Sequence, residues 1–132
     1  MKNIFIILIA AITFIACSED LPAPLPASNY TIEGKWLWSP DPNDRTYANT
    51  MYEYVDGIRY TSYPNCWPEL CTDADFYALD SLDRIPGFKT YIFDGDSITL
   101  DGVTTVVTFE CDGGIWTSQN GGKLWRLTSS CN

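Results

Sequence analysis

Five cysteines carry most of the reactive chemistry in this chain, and their positions divide them into one and four. Cys17 closes an apolar run and is followed at once by Ser18-Glu19-Asp20. Cys66, Cys71, Cys111 and Cys131 lie in the later part of the chain. An odd total becomes even once Cys17 is set aside, and four thiols can pair in three ways. Cys66–Cys71 and Cys111–Cys131 is the favoured set. The first two are close in sequence, and the second pair would tie the end of the longest expected strand to the C-terminus. A four-thiolate zinc site is the alternative, but an oxidising compartment and the cysteine spacing both oppose it.

The other chemistry-bearing residues are acids. Asp94-Gly95-Asp96 with Asp101 invites a calcium loop, yet the twelve-residue pattern with its Gly at position six and Glu at twelve is missing. Glu53 and Glu110 could in principle form a carboxylate pair for glycoside hydrolysis, but both are expected on strands, where wet-face glutamates are common. The chain has no histidine, so histidine metal ligation and Ser-His-Asp catalysis are excluded. These residues predict a chain that is not an enzyme and holds neither metal nor cofactor.

Cys17 points to a place in the cell. Lys2 precedes an uncharged run from Ile4 to Ala16, too short for a bilayer-spanning helix and of signal-peptide length. Ala16-Cys17 fits the lipid-acceptor site of a bacterial lipoprotein signal. The expectation is therefore a signal over residues 1–16, acyl chains on Cys17 that hold the protein to a membrane, and a tether over 17–29. Pro22, Pro24 and Pro26 make that tether extended and semi-rigid. Ser18-Glu19-Asp20 resembles the acidic signal that routes Bacteroidota lipoproteins to the outer face of the outer membrane.

Residues 30–132 are then one folded domain of modest core. The chain has 132 residues, 14% of them aromatic, with five Trp and eight Tyr, which favours strands. A formal net charge of −9 repels nucleic acid and anionic head groups, so a nucleic-acid role is not expected.

Strands are expected over 30–38, 50–55 and 58–63, with Asp56-Gly57 supplying a two-residue hairpin turn. A disulfide loop over 66–71 would follow, with Trp67 at its tip either as a contact residue or folded back as a plug over the barrel mouth. Thr72 and Asp75 resemble a capping box, and Phe76, Leu79 and Leu82 would share one face of a short helix ended by Pro86-Gly87. Hairpin then follows hairpin over 88–93, 97–100, 103–111, 115–118 and 123–129, with Asp-Gly or Asn-Gly at the turns. About eight strands and one helix predict an all-β, up-and-down antiparallel barrel.

Gly34-Lys35-Trp36 on the first strand and Arg126 on the last resemble the Gly-x-Trp and covering Arg of the lipocalins and their calycin relatives. The chain is similar to short lipocalin-like lipoproteins of Bacteroidota over most of residues 32–132. That resemblance implies that Gly34, Trp36 and Arg126 close one end of the barrel. Two functions follow from it. One is a barrel that binds a small apolar or amphipathic ligand, with Trp38, Tyr52, Tyr54 and Tyr60 around a cavity. The other is a filled barrel whose rim near Trp67 contacts a protein or glycan.

Overall fold

A computed structural model describes residues 30–132. The expected signal, the lipid site at Cys17 and the proline tether lie outside the described residues. Eight strands form a closed barrel in chain order: β1 (Gly34–Trp38), β2 (Thr50–Val55), β3 (Ile58–Ser62), β4 (Lys89–Phe93), β5 (Ser97–Leu100), β6 (Val103–Glu110), β7 (Ile115–Ser118) and β8 (Lys123–Arg126). Every neighbour is antiparallel, and β8 returns to β1 through Trp36 opposite Arg126. Both favoured disulfides, Cys66–Cys71 and Cys111–Cys131, are present.

Turn chemistry sets the register. Asp56 (φ 51°) and Gly57 (φ 77°) both hold positive φ, as do Asp101 (φ 49°) and Gly102 (φ 80°). That is the geometry of the two-residue turn whose twist matches its strands. The first turn pairs Val55 with Ile58, and hence Tyr54 with Arg59.

Alternation then sorts the side chains. Trp36, Tyr54, Tyr91, Ile98, Val107, Trp116 and Leu124 meet inside the barrel, with Tyr52, Phe93, Leu100 and Phe109 packed against them. Edge-on ring pairs fill the interior: Trp36 with Trp116 at 6.3 Å, Tyr54 with Tyr91 at 5.1 Å, and Phe93 with Phe109 at 6.0 Å. A second cluster lies on the outer wall, where Leu37, Met51, Ala48 and Leu127 receive Phe76 from α1 (Asp73–Tyr77). Asp75 caps this helix by accepting from the Thr72 N–H and hydroxyl, both at 2.7 Å.

Three boundaries differ by more than one residue from the pattern in the sequence. The first strand begins at Gly34, not Tyr30, because side chains take the backbone acceptors ahead of it. Trp36 Nε1 donates to the Ile32 carbonyl, and Arg126 donates to those of Thr31 and Glu33. β8 stops at Arg126, where a turn bonds the Ser129 N–H to the Arg126 carbonyl at 3.0 Å. The helix ends after Tyr77, so Phe76 and Leu79 reach the outer cluster while Leu82 is 91% exposed.

Candidate functional site

At one end of the barrel Arg126 closes the interior. Its guanidinium lies 4.2 Å from the centre of the Trp36 ring and donates to the carbonyls of Gly113, Glu33 and Thr31 at 3.2, 2.9 and 2.6 Å. Gly34 makes room for it: at φ 117° its backbone suits glycine, and a Cβ there would stand 3.1 Å from Arg126 Nη1. Tyr91 donates to the Glu33 carboxylate and Tyr30 to Asp112, so the polar groups of this end satisfy one another. An open groove of about 610 Å³ runs beside it, from Cys111 to Gly114 and along Thr128–Cys131. Its two charged side chains, Asp112 and Arg126, are already engaged.

The wall between β3 and β4 is where the barrel opens. These strands pair only through Ile58–Thr90 and Arg59–Lys89. Further along β3 the partner is the incoming loop: Ser62 bridges Arg84, and the Ile85 N–H donates to the Thr61 carbonyl at 2.9 Å. Pro86 has no N–H to offer and Gly87 turns at φ 98°, so the chain leaves the ladder before rejoining it at Lys89. Arg59, Thr61, Ile85, Pro86, Gly87, Phe88 and Lys89 line the cavity left behind, of about 230 Å³. Arg84 fixes its outer edge, donating to Glu53 at 2.7 and 2.9 Å and lying 3.9 Å over the Tyr60 ring.

Arg59 is the polar centre of this opening. The register places it opposite Tyr54 and Lys89, on the inner side of the wall. Its guanidinium stacks 4.5 Å over the Tyr52 ring, and its Nε is buried without an acceptor. Burial pushes the Tyr54 phenol up to about 12, and the neighbouring Arg59 cation opposes that rise. Lys89, at the rim, pairs with Asp101.

The residues expected around a ligand are divided by this architecture. Tyr52 and Tyr54 face the interior, but as part of a packed core. Trp38 stands at the rim, 36% exposed. Tyr60 does not line the interior: it sits opposite outward-facing Glu53 and packs against Arg84 and Phe88 on the outer wall. Trp67 does not fold back over the barrel, since 89% of its surface is exposed on the Cys66–Cys71 loop. Of the acids, Glu53 and Glu110 lie on β2 and β6, which are not neighbours, and Glu53 is held by Arg84. Asp94 spends its carboxylate on its own turn, accepting from the backbone of Asp96 and Ser97 and from the Ser97 hydroxyl.

Sequence patterning missed Arg59 and Lys89. The signal for Arg59 was present: a two-residue Asp-Gly turn obliges Arg59 to face the same way as Tyr54. Lys89 carried no such signal, because its place depends on where β4 rejoins the sheet. No protein-family model, no curated protein and no solved structure matches this chain.

Proposed function

We propose that this protein is a non-catalytic binding module of the cell envelope, held to the outer membrane by lipid on Cys17 and carried at the cell surface. Its barrel is of the lipocalin type. The ligand is a small amphipathic molecule seated at the β3–β4 opening, since the interior is occupied by the protein's own aromatic side chains. The observation that carries this proposal is the cavity itself: a polar, cationic floor at Arg59 beneath an apolar lip of Ile85, Pro86 and Phe88. Binding sites combine apolar walls with a few placed polar groups in this way.

Contact with a protein or glycan through the disulfide loop is the second role, favoured by the exposure of Trp67 and Leu70. Native mass spectrometry of residues 18–132, after incubation with an envelope extract, separates the two. The expected result is an adduct that leaves on denaturation, disappears in Thr61→Trp and persists in Trp67→Ala. An adduct lost only in Trp67→Ala moves the function to the loop. For the anchor, incorporation of an alkyne-bearing fatty acid that is abolished by Cys17→Ala is the expected outcome. Labelling that survives Cys17→Ala contradicts it.

A further inference from the structure

We infer that the β3–β4 opening selects an anion, and that its ligand is a small carboxylic acid with a compact apolar body. The carboxylate lies on Arg59 and the body against Phe88 and Ile85. This rests on the ligand-binding role proposed above and adds the chemical class.

The four arginines of the chain make the comparison. Arg45 is paired with Asp73 at 3.0 Å and Arg84 with Glu53 at 2.7 Å. Arg126 gives its donors to three backbone carbonyls. Of the four arginines, Arg59 alone has neither a carboxylate nor a carbonyl among the described residues: the Tyr54 hydroxyl is its hydrogen-bond partner and its Nε has none, although acids outnumber bases 17 to 8 in the chain. A guanidinium carries five N–H donors in a planar fork; the Tyr54 phenol meets only part of them, and leaving the buried Nε unmet is costly. The cation–π contact with Tyr52 occupies its face and leaves available the part of its edge that Tyr54 does not take. The cavity that Arg59 lines is where an acceptor can enter.

The class follows from charge and shape. Lys89 is already matched by Asp101, so one cation is left uncompensated and a monoanion neutralises it. A planar carboxylate meets the guanidinium fork through two parallel hydrogen bonds. The apolar lip, with Phe88 largely exposed, offers a face for a ring or short chain. A surface acidic overall disfavours anions at long range, so selection must act at contact distance, inside the opening.

Phenylacetate and its neutral isostere phenylacetamide are the probes, titrated into ¹⁵N-labelled residues 18–132. Phenylacetate should shift the amides of Arg59, Thr61 and Phe88 and bind at least about tenfold more tightly than the amide, a preference of the size charged hydrogen bonds supply. Arg59→Gln should abolish the preference, and Lys123→Gln, which removes a cation on β8 outside the opening, should change it by no more than about twofold. Equal binding of acid and amide at the opening, unchanged in Arg59→Gln, overturns the anion selection while leaving the binding role intact. Absence of shifts at the opening with either probe overturns both. If Arg59→Gln loses its dispersed spectrum, the wild-type ratio decides: an acid-to-amide ratio of one, at low and at high salt, overturns the inference.

Discussion

Arg126 lies 4.2 Å over the Trp36 ring and also donates to three carbonyls, so one side chain closes the barrel through its face and its edge together. Trp36 is fully buried beneath it. Removing Arg126 loses a cation–π contact worth about 0.5–2 kcal/mol and strands carbonyls that hold residues 31–33 in place. Arg126→Ala should therefore cost about 3 kcal/mol in urea unfolding. Arg126→Lys should recover less than half, because an ammonium cannot reproduce a planar fork. A loss below about 0.5 kcal/mol for Arg126→Ala, the range of ordinary surface substitutions, would refute this role.

The two disulfides should differ in weight. Cys111–Cys131 spans 20 residues and joins the turn after β6 to the C-terminus, whereas Cys66–Cys71 spans five. Chain entropy assigns the longer loop about 3 kcal/mol and the shorter about 2 kcal/mol. Denaturation of the two double-alanine variants should reproduce that order, and the reverse order would contradict it.

Much of this fold was legible because its turns are written in Asp-Gly pairs and its strands in alternating aromatics. Asp56-Gly57 and Asp101-Gly102 locate two hairpins, and their side-chain period locates the core. The helix face was less legible: Leu82 has the spacing of a buried residue and is exposed, because the chain turns after Tyr77 and no wall remains for Leu82 to cover. Tyr60 and Arg59 exchange the faces their hydrophobicity would assign, since register overrides polarity. The opening itself was not legible, because it is a failure of pairing between β3 and β4, set by where the loop over 84–88 docks.

Alkaline pH should destabilise the barrel through Tyr54. Burial raises its phenol from 10.0 to about 12, and burial with the Glu33 hydrogen bond raises Tyr91 as well. Between those values the unfolded chain has released the Tyr54 proton and the folded chain has kept it. The unfolded state then binds fewer protons, so stability falls as pH rises above 10. Below that pH the contribution is fully present. Unfolding followed with tyrosinate absorbance should show this decline, and Tyr54→Phe should make it shallower. An unchanged slope in Tyr54→Phe would contradict it.

Arg84 should control the rim of the opening. It holds Glu53 and Tyr60, and the next residue supplies the Ile85 N–H to Thr61. Arg84→Ala should speed hydrogen exchange at the Ile85 amide while leaving the Arg126 amide, bonded to Gly114 beside the neighbouring strand β7, as protected as before. Equal change at both amides would indicate global loosening instead.

The most direct measurement is a crystal structure of residues 18–132 with 4-bromophenylacetate, using anomalous scattering to locate the bromine. The opening proposed here predicts bromine beside Phe88 and Ile85, with the carboxylate on Arg59. Bromine between Trp36 and Trp116 would mean that the packed interior yields to ligand. Bromine in the groove beside Cys111–Cys131, or none bound at all, would equally contradict a binding site at the β3–β4 wall.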